Sequence, residues 1–234
     1  MSDVPRTSDV PSGVQELYPF LYQRPAEPDA VPAEVARAAR DKAAEITALR
    51  RAVVAGCAGE IAACAEAMAE RFAAGGRLFA FGNGGSSTDA QGLATTFLHP
   101  PPSARALPAL SLTSDAAVVT ALSNDVGFES VFARQLAALG RRGDIAVGLT
   151  TSGGSANVVR AFEEAARHGL LTVALAGHDG GRLAGLAVLD HLFVIPSASV
   201  HRIQEAQATV CHTLWELTQH ALGGSSHTAR GDVR

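Results

Sequence analysis

From Arg77 onward, short continuous apolar runs alternate with stretches whose apolar residues recur at helical spacing. A strand with one wet face alternates polar and apolar residues, whereas a strand covered on both faces does not need to. The runs at 77–82, 108–113, 144–149, 170–176 and 190–195 are of the covered kind. Between and after them, 86–98, 115–123, 128–139, 155–168, 181–186 and 200–221 read as helices. This order specifies an α/β fold, a doubly wound five-stranded parallel sheet flanked by helices. Ligands of such sheets bind beyond the carboxyl ends of the strands.

Ahead of the sheet, residues 32–74 are rich in Ala, Glu and Arg. They predict an N-terminal helical pair, 32–55 and 59–74, the second stopped by Gly75-Gly76. Residues 1–31 hold five prolines and predict a mobile arm. An apolar island in that arm (Leu17, Tyr18, Phe20, Leu21 and Tyr22) either docks on protein or is a short turn with no role. Residues 223–234 return to Gly, Ser and charge and predict a disordered tail. A single domain over 32–222 remains.

Composition excludes several function classes. With a formal net charge of −4, 18% charged residues and no basic stripe, the chain is not built to neutralise nucleic-acid phosphates. Aromatics at 5% do not supply a base-stacking platform. Cys57, Cys64 and Cys211 include no C-x-x-C pair. On a helix, Cys57 and Cys64 stand roughly 10 Å apart, too far for a disulfide, so buried thiols in a reducing compartment are expected. Neither a leader-like apolar segment at the N-terminus nor an uncharged apolar run of about 18 residues occurs, so the expected location is the cytoplasm, with no membrane span.

Two turns are built alike. Leu78–Phe81 leads into Gly82-Asn83-Gly84-Gly85-Ser86-Ser87-Thr88, and Ile145–Leu149 leads into Thr150-Thr151-Ser152-Gly153-Gly154-Ser155. Each joins an apolar run to a helical pattern through glycines and hydroxyls. That sequence gathers free backbone N–H groups, hydroxyls and a helix N-terminus around one point, where a phosphate fits. Ser86 can instead be spent as an ordinary helix cap, whereas the four hydroxyls of Thr150, Thr151, Ser152 and Ser155 exceed what one cap needs. Asp125, in Asn124-Asp125-Val126-Gly127-Phe128, either accepts from ligand hydroxyls or caps the next helix. His178 lies in a glycine-rich turn and is expected to be exposed and idle. On the last helix, Gln204 and His212 are eight apart and share a face. His212 is either a general acid or base or a buried hydrogen-bonded histidine.

The segments FGNGGSSTDA, LSNDVGF, GLTTSGGSANVV, LAGHDGG and RIQE followed by His212 together resemble the SIS (sugar isomerase) domain over roughly residues 32–221. More closely they resemble the phosphoheptose isomerases, which interconvert sedoheptulose 7-phosphate and a heptose 7-phosphate. The resemblance implies a homotetramer with sites at subunit interfaces. It implies phosphate contacts from Ser86, Thr150, Thr151, Ser152 and Ser155, and ligand contacts from Asn83, Gly84, Gly85, Asn124, Asp125 and Gln204. His212 matches the family's catalytic, metal-binding histidine and Gln204 another zinc ligand.

Two further family positions depart from that pattern. The second histidine ligand falls on Gly92, and the glutamate that serves as ligand and proton-transfer base falls on Thr96. Two neutral ligands hold zinc poorly, so no metal or other cofactor is expected. His212 remains as the candidate acid or base, with Glu205, His99 and His201 as substitutes. One function is therefore a zinc-free aldose–ketose isomerase acting on a phosphorylated sugar. The other is a non-catalytic regulator or protein-binding module, resembling the phosphoheptose-isomerase-like protein that associates with a replication initiator, with a protein partner in place of turnover.

Overall fold

A computed structural model describes residues 30–228. The arm expected over 1–31, apart from its last two residues, and the last six residues of the tail lie outside the described residues. The chain divides between Glu45 and Ile46 into two compact units. In the first, the described side chains, 32–45, are exposed. All strands belong to the second.

Helix α1 spans Ala30–Ala73, with non-helical backbone at Cys57 (φ −129°, ψ 22°). The expected helical pair is thus two segments that meet at a kink. The Cys57 thiol donates to the Val53 carbonyl across it. By length and composition, Pro32–Ala73 suffices to cross a bilayer. A helix of a globular core passes the same test, and Ile61, Met68 and Phe72 are buried in the core here.

The remaining elements are β1 (Leu78–Gly82), α2 (Gly85–Leu98), β2 (Ala109–Ser111), α3 (Ala116–Asp125), a 3-10 turn (Phe128–Ser130), α4 (Val131–Leu139), β3 (Ile145–Thr150), α5 (Ala156–Arg167), β4 (Leu171–Gly177), a second 3-10 turn (Gly181–Gly185), β5 (His191–Ile195) and α6 (Val200–Thr228). The expected helices 128–139 and 181–186 are realised partly and wholly as 3-10 turns. α6 continues past its expected end at 221.

The five strands are parallel in the order β2-β1-β3-β4-β5. Successive strand side chains point to opposite faces. Leu78, Ala80, Val147, Leu149 and Val173 pack on one face with Phe97 of α2 and Ile203 and Val210 of α6. Phe79, Phe81, Ala146 and Ala174 pack on the other with Phe132 of α4 and Phe162 of α5. Phe81 lies 5.3 Å from the Phe162 ring. Burying each such side chain stabilises the fold by about 1.5–3 kcal/mol. The chain leaves β1 for β2 on one side and returns to β3 on the other. That reversal opens a crevice between the carboxyl ends of β1 and β3.

Candidate functional site

Both like-built turns open into this crevice. Gly82 pairs with Leu149 in the sheet, so the β1 and β3 turns leave side by side. Asn83 and Asn157 then lock them. Each side-chain amide donates to the other's carbonyl oxygen, both at 2.8 Å.

The hydroxyls are not spent on capping. Gly84 precedes α2 and Ser155 precedes α5, and neither helix has a side-chain cap. By contrast, Asp115 caps α3 by accepting from the Ala117 and Val118 amides. Ser155 Oγ instead lies 3.3 Å from Thr150 Oγ1, which is 3.4 Å from Ser152 Oγ. Gly154 N donates to Ser152 Oγ. Ser86 is buried in the first turn of α2. Three hydroxyls and an uncapped α5 N-terminus thus surround the β3 turn, and the uncapped α2 N-terminus lies beside it. Such groups suit a phosphate dianion.

The β3 turn rests directly on the turn after β4. Gly153 has φ +64°, and a Cβ there would run into the Gly180 carbonyl. Leu183 N donates to Gly153 O at 3.1 Å. His178, in the supporting turn, is exposed.

Helix α6 forms the opposite wall. Gln204 presses so closely on Gly85 that any side chain at Gly85 would meet its amide. The same amide donates to Asp89 Oδ2 at 3.3 Å. Beyond it, α2 and α6 enclose an open cavity of about 170 Å³, lined by Thr88, Asp89, Gly92, Thr96, Cys211 and His212 among others. Burial raises the Asp89 carboxyl above its ordinary pKa, and the Gln204 hydrogen bond partly offsets the rise. Burial also pushes the Cys211 thiol up to about 12, with the Asp89 charge adding to it. Cys211 is therefore an inert thiol lining the wall.

The donor set does not fit zinc. Gly92 has no side chain, and Thr96 Oγ1 is tied back to the Gly92 carbonyl at 2.9 Å. Among the described residues no group of three His, Cys, Asp or Glu side chains is arranged to hold a metal. Gln204, Asp89 and His212 offer one amide, one carboxylate and one imidazole.

Other candidates fall outside this cavity. Glu205, next to Gln204, pairs with Arg202 at 2.6 Å. Asn124 donates to Asp125 at 2.9 Å at the exposed end of α3, and Asp125 caps no helix. His99 and His201 are exposed and line no part of the cavity. The residue missed in the sequence is Asp89. A usable signal was present: Asp89, Gly92 and Thr96 follow helical spacing and share one face of α2.

Comparison with known proteins agrees with this architecture. The SIS domain profile matches residues 30–177. The chain is 43% identical to a phosphoheptose isomerase of Chlorobium phaeobacteroides over 183 residues, covering 75% of this chain and 78% of that one. It is 42% identical to a phosphoheptose isomerase of Nitratidesulfovibrio vulgaris, covering 81% and 90%. The structure of phosphoheptose isomerase GmhA from Neisseria gonorrhoeae superposes with a TM-score of 0.73 at 33% identity, covering 80% of this chain and 99% of that one.

Proposed function

We propose that this chain, which belongs to the SIS domain family and to the phosphoheptose isomerases within it, isomerises a sugar phosphate without zinc. The substrate class is a heptose phosphate of the sedoheptulose 7-phosphate type. Ser86, Thr150, Thr151, Ser152, Ser155 and the amides at the starts of α2 and α5 hold the phosphate. Asn83, Gly84, Gly85 and Gln204 line the path from there to the cavity.

In this reading Asp89 replaces the family glutamate. It takes the proton from the carbon beside the carbonyl while His212 gives one to the carbonyl oxygen, and an enediol results. Asp89 then returns its proton to the neighbouring carbon as His212 recovers one from the other hydroxyl. A carboxyl whose pKa is raised by burial is better matched to proton transfer than an ordinary one. A positioned base of this kind contributes about 10²–10⁴ in rate. The observation that carries the proposal is that Asp89 and His212 line one cavity.

The deciding experiment is turnover of sedoheptulose 7-phosphate by chelator-treated protein, followed by formation of the aldose. Asp89→Asn and His212→Gln are each expected to lose activity. Wild-type protein that binds the sugar and gives no aldose above background would defeat the catalytic reading.

The loss of a base and a ligand at Gly92 and Thr96 favours, as a second reading, a non-catalytic regulator in which sugar-phosphate binding controls association with a protein partner. Its signature is sugar binding without turnover, together with a partner recovered from lysate whose binding changes with the sugar phosphate. We extend either reading to a cytoplasmic homotetramer, checked by light scattering of the full chain.

A further inference from the structure

Gln207 lies on α6 one turn after Gln204 and has 0% of its surface exposed. Its Nε2 donates to the Thr150 carbonyl at 3.0 Å. Among the described residues no donor reaches its Oε1, which is also buried. Reversing the amide would set two carbonyl oxygens against each other and leave the amide nitrogen unpaired, so the contact fixes the orientation. Burying half an amide without a partner costs free energy that a well-packed apolar side chain would not. The fold alone gives little reason for this residue.

Its contact supplies one. Thr150 ends β3, and its hydroxyl is the centre of the Ser152 and Ser155 cluster. Gln207 grips the main chain of that same residue from the helix that carries Gln204 and His212. We propose that Gln207 is a positioning residue: it ties the height of the phosphate-binding turn to the helix that presents the acid–base group. This inference rests on the phosphosugar reading above. Gln207 touches no substrate. It acts through Thr150.

A residue kept for packing and a residue kept for positioning respond differently to substitution. Gln207→Met fills similar volume, removes the orphaned acceptor and releases the Thr150 carbonyl. The two changes offset in stability. The expected result is a melting temperature within about 2 °C of wild type and affinity for sedoheptulose 7-phosphate, measured by calorimetry, weakened about tenfold, the equivalent of one hydrogen bond. Gln207→His, which keeps an N–H donor of similar reach, restores most of that affinity. Equal affinity of wild type and Gln207→Met overturns the inference and leaves the phosphosugar reading standing. Failure of Gln207→Met to fold also overturns it, because the residue would then be structural. Wild-type protein that binds no sugar phosphate overturns both.

Discussion

The Asn83–Asn157 pair admits a quantitative test of how the two turns are joined. Its two hydrogen bonds are both 2.8 Å long, and Asn157 is 3% exposed while Asn83 is half-buried. A neutral hydrogen bond contributes about 1 kcal/mol net, and a buried polar group left without its partner costs about 1–3 kcal/mol more. Asn83→Ala strands the buried Asn157 amide and should cost about 3 kcal/mol. Asn157→Ala leaves an amide that water can reach and should cost about 2 kcal/mol. The double variant strands nothing and loses only the two hydrogen bonds, so its cost should be about 2 kcal/mol instead of the sum of about 5, a coupling of about 3 kcal/mol. Urea unfolding of the four proteins at one fixed concentration measures this cycle. Melting temperatures should fall by about 2–4 °C per kcal/mol. Both single variants should also bind sugar phosphate more weakly. Costs that add to within about 0.5 kcal/mol would refute the argument, because the two amides would then be independent.

Three further outcomes are expected. Because Asp89's pKa is raised in the folded state, its protonated form favours the fold; that stability is present below the unfolded value of about 3.8 and is lost as pH rises through the folded value. Asp89→Asn should therefore melt above wild type at neutral pH, with the gap closing below about pH 3.8, and a gap absent at every pH would contradict the burial of this carboxyl. Gly153→Ala should destabilise by about 3 kcal/mol in urea, since it adds left-handed strain to a clash between two main chains, neither of which can yield. Gly92→His with Thr96→Glu should create a zinc site beside Gln204 and His212, because a Cβ at Gly92 meets nothing within 4 Å. Metal analysis after dialysis should find about one zinc per chain in that variant and far less in wild type, and zinc-loaded wild type would contradict the donor argument.

What the sequence made legible was local chemistry. Leu78–Phe81 and Ile145–Leu149 read as covered strands because helices pack on both faces, and both lie in the sheet centre. The boundary expected between residues 55 and 59 brackets the kink at Cys57. The hydroxyls of the β3 turn were legible because they exceed what one cap uses. Long-range placement was not legible. Asn83 and Asn157 are 74 positions apart, and only the strand order brings them together. Glu205 and Gln204 are neighbours in sequence, yet a helix turns about 100° per residue. One therefore faces Asp89 and the other Arg202. Asp89 stood inside the first motif, but its raised pKa arises from burial beneath α6, which no spacing records. Gly, Ser and charge over 223–234 read as a tail, and the helical backbone of α6 continues into that stretch as far as Thr228.

The seat of the β3 turn on the β4 turn is made of main-chain atoms, Gly153 against Gly180. Its shape is consequently indifferent to which side chains decorate the rim. Thr151 and Ser152 remain partly or wholly accessible to solvent. Exchanges there can retune which anion is preferred while the foundation beneath stays as it is. Substitutions at the rim therefore change what the turn presents to solvent without disturbing the main-chain seat beneath it.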